Sequence, residues 1–318
     1  MSTTRNFSLT RVSKSMWALW GILLILFIIT GLVDNYFWSI PSIGVTIQLA
    51  VPLGLLAAGQ TICMLTGGID LSIAMIATGA AYIVSVKSSE GLTIALLWAV
   101  VYCILVGSIN GLAVGLLGIN PLIMTLGMNA ILIGVFTVGV TTFLKGSTTM
   151  PDSIVTLSSG TLIDPISWPL IVWIIVGGLV LFVLGKTGLG RLIYAVGDNA
   201  QSARLAGVKV WKVQWATYVL CALLAGMGGL MLGGQSGAVA ISLANAYMLP
   251  SVAAVVIGGT SIMGGLGGYT GSILGALILT VLSYLLAVLN STEAVKQVIY
   301  GSIVLALAWL YVRLSEKG

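Results

Sequence analysis

Residues 42–72 read SIGVTIQLAVPLGLLAAGQTICMLTGGIDLS, and this stretch decides the fold class. Its first part, residues 42–65, is almost entirely apolar or small and is long enough for a transmembrane helix, which needs about 20 such residues. A glycine pair and one carboxylate, Asp70, then precede the next apolar run. Asp70 is the only charged side chain between Asp34 and Lys87. The stretch therefore predicts two membrane-embedded helices joined by a polar break.

The composition of the whole chain supports this prediction, since 58% of its 318 residues are hydrophobic, 7% are charged and the mean hydropathy is +1.14. An ordinary soluble domain carries about 25% charged residues, so the lipid bilayer is the main solvent here. We predict an all-α polytopic bundle, with one transmembrane domain over residues 16–314. Turn signals separate ten apolar runs, at residues 16–33, 42–65, 72–86, 92–115, 121–142, 167–184, 213–233, 248–262, 269–289 and 295–313. The third and eighth runs are short and contain glycine, which predicts tilted, broken or re-entrant segments.

The basic residues predict the orientation of the bundle. If ten helices alternate, ten of the thirteen Lys and Arg side chains share the side of the N-terminus, and three lie opposite. Such an excess marks the cytoplasmic side, so residues 1–15, segment 185–212 and the C-terminus are predicted to be cytoplasmic. Because the basic residues are scattered along the whole chain, the net charge of +5 does not indicate a basic domain. We therefore expect no nucleic acid partner.

Several kinds of chemistry are excluded by residue content. The chain has no histidine, which excludes Ser-His-Asp and Cys-His nucleophilic chemistry and any His-ligated metal. Cys63, Cys103 and Cys221 stand singly in apolar runs and are predicted to be buried small hydrophobic residues. Segment 185–187, Gly-Lys-Thr, resembles the end of a phosphate-binding loop, but that motif requires glycine where this chain has Val180. We expect no catalytic residue, cofactor or metal on this chain, and no enzyme activity of its own.

Residues 197–207 form the first candidate site. Asp198 or Asn199 is a suitable N-cap, Gln201 is at a capping-box-like position, and Gly207 can adopt the left-handed conformation that ends a helix. The segment therefore predicts a short capped helix in a cytoplasmic loop. One interpretation is a rigid knob that docks into a cytoplasmic partner; the alternative is a solvated surface turn.

The polar break is the second candidate site, as a helix break or part of a translocation path. Its members are Gly67, Gly68, Asp70 and Ser72. A carboxylate at the membrane centre costs about 2.5–3.5 kcal/mol, so Asp70 is expected in a break or a wet cavity. We favour a structural role, in which Asp70 caps the next helix through the Ser72 or Ile73 amide, over contact with substrate. Coupling of a proton is the alternative, although the spans contain no second acid for it.

Uncharged polar and small residues within the runs have two interpretations each. Three amides can bridge helices, or can bind a hydroxylated ligand along a substrate path: Gln60, Asn110 and Asn129. Bridging is the more common role. Glycines every four residues, at 107, 111 and 115 and at 267, 271 and 275, predict close helix packing, with a groove on the permeation path as the alternative.

Three separated blocks of this sequence resemble the ribose-type sugar permeases of bacterial ABC importers, in the branched-chain amino acid/ribose permease superfamily. The blocks are TGGIDLS at 66–72, GLGRLIYAVGDN at 188–199 with ARLAGV at 203–208, and AAVVIGGTS at 253–261 with Gly264, Gly265 and GALIL at 275–279. The likeness runs from about residue 40 onward. It implies the fold of vitamin B12-type importers, a second permease subunit that is identical or homologous, a periplasmic substrate-binding protein, and a separate cytoplasmic ATPase that holds ATP and Mg.

The resemblance also assigns roles to residues. Five map onto or beside the helix that contacts the ATPase: Gly197, Asp198, Asn199, Arg204 and Gly207. Residues 73–75 are Ile-Ala-Met where the family usually has Val-Gly-Ser, so the resemblance leaves the cargo open among ribose, other pentoses, galactose-type sugars and autoinducer-2. The predicted function is the permease subunit of an importer for a sugar-like solute. The alternative is a self-contained secondary carrier or channel that couples ions through Asp70.

Overall fold

The computed structural model describes residues 9–142, 144–163 and 166–315, and side chains over residues 16–142, 144–163 and 166–306. Residues 1–8 of the predicted N-terminal segment lie outside it. The described part of the chain is mostly helical. Its α-helices are α1 (Leu9–Val33), α2 (Ile40–Leu65), α3 (Ile73–Lys87), α4 (Leu92–Gly115), α5 (Pro121–Thr141), α6 (Asp152–Ser159), α7 (Trp168–Lys186), α8 (Gly188–Asp198), α9 (Ala200–Leu205), α10 (Val210–Ser236), α11 (Met248–Ile257), α12 (Tyr269–Val288) and α13 (Glu293–Ser315). A small antiparallel hairpin pairs β1 (Thr161–Ile163) with β2 (Ile166–Ser167).

Seven of the described helices, α1, α2, α4, α5, α7, α10 and α12, are long and apolar enough to cross a membrane. The predicted all-α polytopic bundle is therefore confirmed. The predicted run 72–86 is α3, with 15 residues, and run 248–262 shortens to α11, with 10 residues. At 1.5 Å per residue these helices are about 22 and about 15 Å long, less than the bilayer core of about 30 Å. Neither forms a continuous crossing by itself. Run 295–313 lies within α13, whose side chains are described only as far as residue 306.

Helices α2 and α10 form the centre of the bundle. Helix α10 packs against α2, α3, α4 and α6, and these contacts depend on small residues. A Cβ at Gly229 would lie 1.9 Å from the carbonyl oxygen of Ala77 on α3, and one at Gly107 of α4 would lie 2.8 Å from that of Tyr218 on α10. In lipid, the hydrophobic effect does not bring helices together, so their association depends on close packing. Small residues allow the helix backbones to approach closely enough for it.

Both glycine stripes lie at close helix contacts, with one exception. Gly111 and Gly115 face the backbone of α10, as Gly107 does, and Gly271 and Gly275 face α11. Gly267 does not belong to that helical stripe, because α12 begins only at Tyr269. It lies in the preceding loop with a φ of 118°.

The outer helices present apolar side chains to their surroundings. Ile123 on α5 is 70% exposed, and Ile175 on α7 and Leu97 on α4 are similarly open. Such a surface suits lipid or another apolar membrane protein. The three cysteines, in contrast, are buried with free thiols, as predicted.

Candidate functional site

Segment 185–212 contains two short helices, α8 and α9, and α9 is the short capped helix predicted within residues 197–207. Helix α8 begins after Thr187, whose hydroxyl accepts a hydrogen bond from the Gly190 amide (3.3 Å). Asn199 separates α8 from α9, and its Oδ1 accepts from the Ser202 amide (2.9 Å). The N-cap of α9 is therefore Asn199, which was one of the two predicted alternatives. Asp198 instead ends α8.

This capping arrangement corrects the predicted position of Gln201. Counting from Asn199, the third helical residue is Ser202, so Gln201 does not occupy the capping-box position. Gly207 has the predicted left-handed conformation, with a φ of 87°, and its amide donates to the Arg204 carbonyl (3.0 Å). A Cβ at Gly207 would meet nothing within 4 Å, so the backbone conformation alone favours glycine there.

Helix α9 protrudes from the bundle. Arg204 is exposed and Leu205 is 84% exposed, while Ala203 alone in α9 is buried. Leu205 and Arg204 thus offer one apolar and one cationic side chain to a partner, although a single exposed leucine does not by itself mark an interface. We refer to residues 199–207 as the α9 knob.

Two residues before the knob, a backbone contact joins three segments of the chain. A Cβ at Gly197 would lie 1.8 Å from the Leu65 carbonyl oxygen and 2.6 Å from the Gly265 amide nitrogen. The Gly265 amide donates to the same Leu65 oxygen (3.0 Å). Gly264 packs against the Gly197 carbonyl and the Gly67 amide. We call this contact the glycine junction.

Helix α8 lies along the bundle with one apolar face. Ile193 and Val196 are buried in the main core, and the Tyr194 hydroxyl donates to the Gly267 carbonyl (3.0 Å). Burial raises the pKa of Tyr194 above its ordinary value, which already keeps the phenol protonated at physiological pH. This hydrogen bond links α8 to the loop that precedes α12.

The glycine junction is next to the polar break of residues 66–72. Gly67 has a φ of 78°, and the amides of Thr66 and Gly68 both donate to the Cys63 carbonyl. Asp70 is fully buried, and its Oδ1 accepts from the Ser72 amide (2.9 Å) and the Ser72 hydroxyl (2.5 Å). The predicted bond to the Ser72 amide at the start of α3 is confirmed.

Two helices hold this turn from outside. The Asn110 amide on α4 donates to the Ser72 hydroxyl (2.9 Å), which is the bridging role expected of it. Thr125 on α5 accepts from the Leu71 amide (3.0 Å) and donates to carbonyl oxygens of Pro121 and Ile69. Thr125 was not predicted. The available signal is a threonine one turn after Pro121, where its hydroxyl can contact a neighbouring backbone.

Several buried polar atoms around the break have no hydrogen-bond partner among the described residues. They are Asp70 Oδ2, Asn110 Oδ1, the Tyr218 hydroxyl and both amide atoms of Gln60. Tyr218, on α10, was also not predicted; a tyrosine in the middle of an apolar run is the signal, because its hydroxyl needs a partner when buried. Asn129, the third predicted amide, is half-buried on α5.

Comparison with known proteins shows to which family the chain belongs. The sequence model described as "Branched-chain amino acid transport system / permease component" matches residues 42–308. The chain belongs to this permease family. The resemblance to ribose-type ABC importer permeases is thereby confirmed for the family as a whole, and the match includes the polar break, the α9 knob and the loop of Gly264 and Gly265.

Individual relatives cover most of this permease. It is 31% identical over 289 residues to the autoinducer 2 import system permease protein LsrC of Yersinia pestis (strain Pestoides F), covering 90% of this chain and 81% of the relative. The protein of the same name from Photorhabdus luminescens is also 31% identical, with 90% and 86% covered. No solved structure matches at a significant level. The permease is thus a multi-pass membrane protein of the ABC importer class.

Proposed function

We propose that this permease is the membrane-spanning subunit of a bacterial ABC importer and that it moves a sugar or related small hydroxylated solute across the inner membrane. A separate cytoplasmic ATPase, which holds ATP and Mg²⁺, drives the alternation between outward-open and inward-open states. The permease itself performs no covalent chemistry. Its relatives that import autoinducer 2 support autoinducer 2 or a sugar as the cargo.

The observation that supports this function is the connection between the α9 knob and the glycine junction. ATP can shift the permease between states only if the ATPase binds those states with different affinity. The exposed Leu205 and Arg204 provide the contact surface, while Gly197 transfers a displacement of the knob to the end of α2 without an intervening side chain. This end of the bundle is cytoplasmic in the proposed orientation, as are both termini.

The other partners follow from the same assignment. A second permease subunit, identical or homologous, covers part of the apolar outer surface, and lipid covers the rest. A periplasmic binding protein delivers the solute at the end of the bundle opposite the α9 knob. The solute passes between the two subunits, and no cofactor or metal is bound by this chain.

The proposal is tested by reversing one charge on the knob. We expect Arg204→Glu to leave membrane insertion intact and to lower ATP-driven uptake at least about tenfold in vesicles that contain permease, ATPase and binding protein. Lys186→Glu is the matched control, since it reverses an exposed charge at the same end of the bundle but outside the knob. Normal uptake with Arg204→Glu would contradict the assignment of the knob.

A secondary carrier that uses Asp70 is the second candidate, because this carboxylate is fully buried and takes part in no ion pair among the described residues. Its Oδ1 is occupied by Ser72, however, which favours the structural role. A protonophore, applied while ATP is held constant, separates the two functions. Loss of uptake would favour the carrier, and unchanged uptake favours the ABC importer.

A further inference from the structure

A cavity of about 300 Å³ lies within this single chain, between α2, α11, α12 and α13. Thr46, near the first residues of α2, lines it, whereas the last residue of that helix, Leu65, is at the glycine junction. Tyr284, near the last residues of α12, also lines it. The cavity is therefore at the end of the bundle opposite the α9 knob, and none of the predicted site residues contributes to it.

The lining contains three tyrosine rings and several side-chain hydroxyl groups. Tyr247, Tyr284 and Tyr300 come from three different elements. The Tyr284 hydroxyl donates to Asp34 Oδ2 (2.7 Å), and Tyr300 is hydrogen-bonded to the Ser283 hydroxyl. These bonds hold the rings in place, so that they offer rigid apolar faces beside polar edges.

Two threonines add acceptors to the lining. Thr46 donates its hydroxyl proton to the Ser42 carbonyl (2.9 Å), and Thr280 donates its own to the Ala276 carbonyl (2.8 Å). Because each proton is used within its own helix, the oxygen lone pairs remain to accept a bond from a ligand. A ligand with hydroxyl donors satisfies them.

The two charged side chains that line the cavity, Lys296 and Glu293, have opposite charges. Lys296 Nζ lies 3.6 Å from Glu293 Oε2, which is longer than a hydrogen bond; the Lys296 side chain is 18% exposed and the Glu293 side chain is 56% exposed. Gln297 fixes the carboxylate by donating to Glu293 Oε1 (3.2 Å). The pair therefore presents donors and acceptors side by side without a net charge. This arrangement favours a neutral ligand with neighbouring hydroxyls over an anion or a cation.

We propose that this cavity binds one neutral polyhydroxylated solute of pentose or hexose size. The volume is at the lower end of small-molecule sites, which range over about 300–1,000 Å³, and it suits such a ligand. The tyrosine faces contact its C–H surface, and Lys296, Glu293 and the threonines bind its hydroxyls. A role as a station for the transported solute rests on the proposed function; binding itself does not.

Thiol protection tests the site in the assembled permease–ATPase complex in lipid nanodiscs. Ala246→Cys places a thiol in the cavity wall, and the native cysteines are buried. We expect D-ribose or D-galactose to slow its alkylation by a polar maleimide at least about threefold, with no effect of 1-propanol. Ser89→Cys, an exposed position outside the cavity, is the control and should show no protection. No slowing by either sugar, or equal slowing by 1-propanol, would overturn the proposal.

A second pair of variants tests the role of the ion pair. In the Ala246→Cys background, Lys296→Gln should raise the sugar concentration needed for protection about tenfold. Lys87→Gln is matched, since Lys87 also pairs with a glutamate three residues away, Glu90, but outside the cavity; it should leave protection unchanged. Equal effects of both variants would overturn the assignment of Lys296.

ATP-driven uptake, measured on the same complexes with binding protein, separates the two proposals. Protection without uptake contradicts the proposed function and retains the site. Uptake without protection overturns the site and retains the function.

Discussion

The two breaks in the bundle, residues 66–72 and 258–268, meet at the glycine junction but are held by different means. In the first break, side chains around Asp70 carry the hydrogen bonds, and Gly67 alone has a positive φ. In the second, the glycines at 259, 264, 265 and 267 all have positive φ, and the hydroxyls of Thr260 and Ser261 accept from the Gly268 and Met263 amides. A turn stabilised by side chains tolerates a substitution that preserves its bonds. A turn that depends on left-handed backbone and close contact does not.

Gly197 lies between these breaks. Like the second break, it depends on close backbone contact. Its contacts are backbone oxygen and nitrogen atoms, which cannot move aside as a side chain does. The comparison therefore predicts graded effects, largest where backbone meets backbone and smallest where one side-chain bond is lost.

The largest effect is expected for Gly197→Ala. A Cβ 1.8 Å from the Leu65 oxygen forces α8 away from α2. Overpacking costs typically about 1–3 kcal/mol and occasionally more, and we expect the upper end, with loss of thermal stability and of uptake. Fluorescence-detected size exclusion after heating measures the first.

Gly185→Ala is the matched control for this substitution. Gly185 is helical, and a Cβ there would meet nothing within 4 Å, so stability should be unchanged or slightly raised. Equal stability of both variants would show that the glycine junction tolerates a Cβ. The difference drawn between the two breaks would then be wrong.

An intermediate effect is expected for substitutions of Asp70. Two variants distinguish a structural role of this carboxylate from a role in ion coupling. Asp70→Ala leaves the Ser72 amide and hydroxyl without their acceptor, at a cost of about 1–3 kcal/mol. Asp70→Asn keeps an oxygen for them, so uptake by this variant should remain within about threefold of the parent. Uptake assays on vesicles with matched amounts of permease measure both.

The asparagine variant separates the structural role of Asp70 from the carrier hypothesis. If Asp70 carries a proton during transport, the asparagine variant fails as completely as the alanine variant, although it folds. That result would remove the structural interpretation of the first break.

The smallest effect is expected for Thr125→Val, which preserves shape and removes the acceptor of the Leu71 amide. The loss should be about 0.5–1.5 kcal/mol, visible as a modest fall in the unfolding temperature. Thr137→Val on the same helix is the control, because that hydroxyl is exposed and bonds only within its own helix (2.7 Å). A fall of equal size in the control would show that the bond to Leu71 contributes nothing specific.

Much of the candidate site could be predicted because its signals are local. Asn199 and Gly207 act on backbone groups within a few residues, and so does Asp70 on Ser72; short spacing is visible in sequence. Tyr218 and Thr125 were missed since their relevant neighbours are on other helices. The position of Gln201 was wrong because the choice between Asp198 and Asn199 as N-cap shifts the count by one, and the end of α8 decides that choice.

The amino-acid sequence by itself determined that this chain is a polytopic helical membrane protein with a polar break near Asp70 and a short capped helix in a loop, because hydropathy, charge and capping act over one helix length. Only the tertiary structure decided that Leu65, Gly197 and Gly265 meet in one junction and that α2, α11, α12 and α13 enclose a cavity with a neutral ion pair. Those contacts join residues far apart in the chain, and their geometry depends on how small residues let the helix backbones approach.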